Sequence, residues 1–103
     1  MVKTIGEQEF NEVLSADIAV VDFFATWCGP CKMLGPVLEQ LSADYEGKIS
    51  FFKIDVDEAE ETAAKYGIQS IPAVFAFKKG ELDSKSVGYN GRDGVKAFLD
   101  SLL

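Results

Sequence analysis

Hydrophobic positions along the chain change period several times. Ile18 to Phe24 is almost continuously apolar, as in a central strand buried on both faces, and Asp22 is its one interruption. Cys31 to Tyr45 carries Leu34, Val37, Leu38, Leu41 and Tyr45 at helical spacing and predicts an amphipathic helix. Pro36 falls inside it. An interior proline costs about 3 kcal/mol and bends a helix, but the pattern continues beyond it, so a kink is expected and Gly47 is the stop. Before these elements, Val2 to Thr4 reads as a short edge strand. Gly6 to Ser15 reads as a helix with Phe10, Val13 and Leu14 on one face, Gly6 at its cap and Glu9 three residues on. After them come a strand, Ile49 to Ile54, interrupted by Lys53, and a short helix, Glu58 to Tyr66, ended by Gly67, with Ala59, Ala63 and Tyr66 inward. A strand from Ala73 to Phe77, a turn at Lys79-Gly80 and a returning antiparallel strand from Leu82 to Val87 follow. The last helix is capped by Asn90 and carries the stripe Val95, Phe98, Leu99, Leu102.

Alternation of strand and helix, then a hairpin, then a helix, gives an α/β fold: a mixed sheet with helices on both faces. Right-handed crossovers put Ile18–Phe24 near the middle, and open sheets of this kind carry their site at the C-terminal end of a central strand. What stands there is Trp27-Cys28-Gly29-Pro30-Cys31-Lys32, which holds both cysteines.

The spacing of that pair has a physical reason. Three residues of helix rise about 4.5 Å in nearly one turn, which brings two Cα atoms into the range a disulfide bridges. Unpaired amides and the positive end of the helix dipole favour a thiolate at the helix start. Cys28 is therefore expected to be the more reactive sulfur, and Cys31, one turn in, the more buried. Pro30 suits the first turn, and Gly29 keeps the approach to Cys28 open. The rival uses are weaker. A staple gains from closing a long loop, and this loop is minimal. A structural zinc site takes four ligands, whereas the chain has two cysteines and no histidine, so a metal would have to be shared between two chains. A cysteine pair at a strand-to-helix junction points to thiol–disulfide chemistry.

Composition narrows the choice further. One hundred and three residues predict one domain spanning 1–103, and 48% hydrophobic residues suffice for a core without metal or staple. A formal net charge of −7 argues against nucleic acid or an anionic membrane as partner. No signal peptide or membrane span is visible, so a reducing cytoplasmic location is expected.

Asp22 is the most informative residue after the cysteines. A carboxylate in a central strand is costly to desolvate and favours its neutral form. Strand alternation puts Val20, Asp22 and Phe24 on one face. Beneath Cys31, Asp22 could take that thiol's proton directly or through a water; the alternative is a structural acid satisfied by backbone or by Lys53. Lys53 either pairs with Asp22 or lays its stem along the sheet with its head in water. Ile71-Pro72 opens the Ala73 strand. On its residues alone an ordinary trans proline is expected there, while a cis bond would present Ile71 to an extended substrate. Trp27 reads as an apolar lip beside Cys28 or as a packing residue. The acidic run Asp55, Asp57, Glu58, Glu60, Glu61 complements the start of the short helix, with Asp57 and Glu60 loosely spaced as a capping box. It lacks the spacing of a calcium loop.

Taken together, Val21-Asp22-Phe23, Trp27-Cys28-Gly29-Pro30-Cys31-Lys32, Pro36, Lys53-Ile54-Asp55-Val56-Asp57, Tyr66-Gly67-Ile68, Ile71-Pro72, Phe77, Gly80 and Gly88 resemble the thioredoxin family over essentially the whole chain. The resemblance implies a thioredoxin fold of five strands in a mixed sheet flanked by four helices. It implies a protein-disulfide reductase in which Cys28 is the nucleophile, Cys31 the resolving thiol and Asp22 the acid/base; Lys53, placed to tune Asp22, is counted with these catalytic residues. It further implies a cis bond at Ile71-Pro72 and a docking surface of Trp27, Gly29, Pro30, Ile71, Pro72, Val87 and Gly88. No organic cofactor or metal is expected, since the dithiol itself carries two electrons. The implied partners are disulfide-containing proteins and a flavin-containing thioredoxin reductase drawing on NADPH or ferredoxin, and a monomer is expected. Departures from the family pattern are Phe24 for a frequent second tryptophan, Thr26 for a commonly acidic residue, Ser70 for a frequent glycine or threonine, and Tyr89 for a small residue. Rival readings are an oxidant or isomerase, a docking or assembly subunit that uses no redox chemistry, and a metal-bridged dimer.

Overall fold

A computed structural model describes residues 1–103. Five strands form one sheet: β1 (Val2–Ile5), β2 (Ile18–Phe24), β3 (Ser50–Asp55), β4 (Ala73–Lys78) and β5 (Glu81–Val87), in the order β1-β3-β2-β4-β5. β3 pairs parallel with β1 and β2, and β4 pairs antiparallel with β2 and β5. The four helices are α1 (Asn11–Ser15), α2 (Gly29–Ser42), α3 (Glu60–Lys65) and α4 (Arg92–Asp100). The mixed sheet with helices on both faces is the architecture the hydrophobic pattern predicts.

β2 is flanked on both edges and covered on both faces, which is why it tolerates so few polar residues. Its odd positions, Ala19, Val21 and Phe23, join Phe10, Val13, Phe52, Ile54, Phe75 and Phe77 in the core under α1 and α3. Val20 packs on the other face with Leu34, Leu38 and Leu41 of α2 and Val95 and Leu99 of α4. Asp22 shares that second face. The β4–β5 hairpin closes at Lys79-Gly80, both with positive φ (51° and 83°), the geometry a two-residue hairpin turn requires.

Three local expectations are corrected. The first helix is split. A 3-10 turn, Glu7–Glu9, precedes α1, because Glu9 folds back to accept the Gly6 N–H at 3.0 Å and the amides of Glu9 and Phe10 bond three residues back. The last helix is capped by Gly91 and not by Asn90, whose side chain lies over Gly94, where a Cβ would collide with it. The start of α3 makes no capping box between Asp57 and Glu60. Its cap is Ala59, which has no polar side chain.

The missing cap of α3 is supplied from elsewhere. Glu7 accepts the Thr62 N–H at 2.7 Å and the Thr62 hydroxyl at 3.0 Å, so the 3-10 turn pins the helix start across 55 residues of chain. Glu7→Ala is expected to cost about 1–2 kcal/mol, read as a lower urea midpoint, with a smaller loss for Glu7→Gln. An unchanged midpoint for the alanine variant would show that the contact adds nothing.

Candidate active site

β2 delivers the chain to Phe24, and Ala25, Thr26 and Trp27 turn it into α2. Cys28 is the N-cap of that helix, with extended backbone (φ −85°, ψ 117°), and α2 starts at Gly29, two residues earlier than the periodicity predicts. The Cys31 N–H points at the Cys28 sulfur at 3.2 Å, so sulfur takes the place that serine or aspartate oxygen usually holds at a helix start. Pro30 sits in the first turn with no amide to satisfy, and the helix runs through Pro36 to Ser42. The two cysteines are joined in a disulfide with their Cα atoms 5.3 Å apart, inside the range a bridge allows.

The expected difference in burial between them is not found. Cys28 and Cys31 are each 5% exposed. The cause lies outside the motif: the segment before β4 folds over Cys28, placing the Ile71 carbonyl oxygen 3.9 Å from its sulfur and Ile71 against the cluster of Ala25 and the two cysteines. What distinguishes the sulfurs is surroundings. Around Cys28, Trp27, Gly29 and Pro30 are exposed. Cys31 instead lines a cleft of about 280 Å³ shared with Asp22, Thr26, Lys32, Pro36 and Lys53.

Asp22 is 2% exposed, and its Oδ1 has no hydrogen-bond partner. Burial pushes its pKa from 3.8 up to about 7, and the positive charge of Lys53 pulls back against that rise. Of the two readings of Lys53, a contact ion pair is not formed. Lys53 stands opposite Asp22 in the β2–β3 register, but its ammonium lies 5.8 Å over the Phe24 ring and acts on Asp22 through space. An aromatic ring at position 24 thus gives the ammonium a resting place away from the carboxylate.

The Ile71-Pro72 bond is cis, as the family resemblance implies and against the trans bond expected from those two residues alone. The Pro72 carbonyl accepts the Gly88 N–H at 2.8 Å, and Ala73 pairs with Val87, so the start of β4 and the end of β5 bring Ile71, Pro72, Val87 and Gly88 together. Val87 is 60% and Trp27 69% exposed, whereas Pro72 is buried. Asp57 is the site residue that sequence reasoning missed. Its Oδ2 accepts the Trp27 indole N–H at 2.8 Å, and its own amide donates to Asp55 Oδ1 at 2.9 Å. Nothing local signals a partner 30 residues away. No three acidic or cysteine side chains converge in the manner of a metal site.

A dithiol pair at the N-terminus of the helix after a central strand, with a buried carboxyl opening into the same cleft, defines a thiol–disulfide oxidoreductase. Comparison with known proteins agrees. The thioredoxin family model matches residues 1–101. The thioredoxins of Staphylococcus aureus strains COL and MW2 are each 46% identical over 99 residues, covering 96% of this chain and 95% of theirs. The chain belongs to the thioredoxin family.

Proposed function

We propose that this chain reduces disulfide bonds of other proteins by two successive exchanges at one dithiol. The Cys28 thiolate attacks one sulfur of the substrate disulfide. That bond breaks, a mixed disulfide forms at Cys28, and the other substrate sulfur leaves and takes up a proton. Cys31 then passes its proton to the Asp22 carboxylate through water in the shared cleft and attacks the Cys28 sulfur. The second substrate sulfur leaves as a thiolate and takes up a proton, so the substrate departs as a dithiol and the chain keeps the Cys28–Cys31 disulfide. Two electrons have moved, and no cofactor is needed to carry them. Lys53 holds the proton affinity of Asp22 in a range useful near neutral pH. Thioredoxins are themselves among the known cases of a thiol acidified at a helix start. For this chain the acidity of Cys28 follows from its place at the N-cap of α2, where unpaired amides and the helix dipole favour the thiolate.

The observation that carries the reading is that Asp22 and Cys31 open into one cleft while Cys28 sits among the exposed Trp27, Gly29 and Pro30. Trp27, Gly29, Pro30, Ile71, Pro72, Val87 and Gly88 serve as the docking surface for an extended substrate segment. The chain works as one domain and as a monomer in a reducing cytoplasm, and a flavin-containing thioredoxin reductase restores the dithiol. No helix is long and apolar enough to cross a membrane.

Insulin-disulfide reduction with dithiothreitol as electron source tests the assignment. Wild type is expected to accelerate precipitation of the reduced insulin chain, and Cys28→Ser to fall to the rate of dithiothreitol alone. No acceleration by wild type over dithiothreitol alone, with the protein's biological activity surviving replacement of both cysteines, would instead favour a docking role for the fold.

A further inference from the structure

On the sheet face away from Asp22, a second cleft of about 210 Å³ opens between residues 67–70 and β5. Its lining includes the buried Ala73 and Phe75 and the exposed Val87, Gln69, Ser70 and Lys85. Ala73 and Phe75 pair with Val87 and Lys85 across the β4–β5 ladder, so the cleft continues directly from the residues read above as the docking surface. The Lys85 ammonium lies 5.3 Å over the Phe75 ring, at the cleft. It has no carboxylate partner. The ion pairs of the molecule are made by the N-terminal amine, Lys3 and Lys96. A cation held over an apolar floor, beside the amide of Gln69 and the hydroxyl of Ser70, is a donor set suited to a carboxylate.

We propose that Lys85, with Gln69 and Ser70, forms a subsite that selects substrate proteins carrying an aspartate or glutamate near the attacked cysteine. The proposal rests on the docking reading given above. Val87, in the docking surface beside Ile71 and Pro72, and Lys85 are two residues apart on the edge strand β5, about 7 Å. A substrate segment that passes over Ile71 and on along the exposed β5 therefore brings a side chain a few residues from its cysteine to the Lys85 ammonium. The direction of the preference is informative, because a chain of net charge −7 repels acidic peptides in general. A preference for acid against that field points to a local cation with its neighbouring donors.

Short peptides with one disulfide, bearing Asp, Asn or Lys four residues from the attacked cysteine, provide the test. With wild type at low salt the Asp peptide is expected to show a KM about threefold below that of the Asn peptide, as a partly exposed charge pair allows, and the Lys peptide a higher one. Lys85→Gln should equalise Asp and Asn, Lys85→Glu should reverse their order, and Lys85→Arg should keep it. Salt of about 0.5 M should erase the preference. An absent preference in wild type, or one that persists in Lys85→Glu, overturns the subsite. If wild type fails to reduce even the Asn peptide, or Cys28→Ser reduces it equally well, the dithiol reading fails and the subsite falls with it.

Discussion

Replacing Cys31 by serine is expected to leave a protein that attacks disulfides and cannot release them. The first exchange needs only the Cys28 thiolate at the helix start. The second needs a thiol already positioned on the same turn, and the native Cα separation of 5.3 Å shows that Cys31 meets that demand. Such placement is worth an effective concentration of about 10⁵ M or more over an external thiol. Without it the mixed disulfide should persist until dithiothreitol cleaves it. Cys31→Ser is thus expected to accumulate near-stoichiometric adducts with disulfide proteins, visible on non-reducing gels and lost on reduction, while turnover falls by about 10³-fold or more. Cys28→Ser should form none. Because the two cysteines are equally buried, exposure does not by itself assign their roles, and the pair of variants does. Adducts on Cys28→Ser and none on Cys31→Ser would exchange the roles of the two sulfurs.

The second large effect concerns Asp22, where stability and chemistry oppose one another. The folded-state pKa lies near 7 and the ordinary value is 3.8. Between those values the folded chain holds a proton that the unfolded chain has lost, so wild-type stability falls as pH rises through the interval and levels off above about pH 7. A shift of this size corresponds to roughly 4 kcal/mol at most. Asp22→Ala is therefore expected to be more stable than wild type by about 2–4 kcal/mol at pH 8, with most of that gain gone at pH 4. The same substitution removes the proton acceptor from the Cys31 cleft. Reduction should slow by about tenfold near pH 7, less than the full range of acid–base catalysis because solvent can take the proton in place of Asp22. Urea unfolding at several pH values and stopped-flow reduction read the two effects separately. Equal or faster reduction by Asp22→Ala near neutral pH would remove Asp22 from the mechanism, and a pH-independent stability gain would contradict the raised pKa.

What was legible in the residues is what depends on near neighbours. The uninterrupted apolar run of Ile18–Phe24 reads as a central strand because two buried faces leave no polar position. The leucine spacing of Leu34, Leu38 and Leu41 reads as a helix because those residues recur on one side of it. Two cysteines three apart at the junction specify a bridgeable pair, since a single turn at the helix start keeps their Cα atoms close. The cost of Asp22 is also visible locally, because a carboxylate inside such a strand has nowhere to go.

Residues distant in sequence decided the rest. The equal burial of Cys28 and Cys31 comes from Ile71, 43 residues beyond Cys28. Asp57 reads as a loose helix cap and instead holds the Trp27 indole, and the cap of α3 comes from Glu7. Lys53 stands directly opposite Asp22 in the sheet yet passes over an ion pair with it for the face of Phe24, two residues along. The order of residues was enough for the elements, the dithiol and the buried acid, because each is written in spacings of a few positions. Which groups share a cleft, which atoms remain without a partner and which surface meets a substrate followed from the folded chain alone, because those depend on where the sheet order and loop packing bring remote segments together.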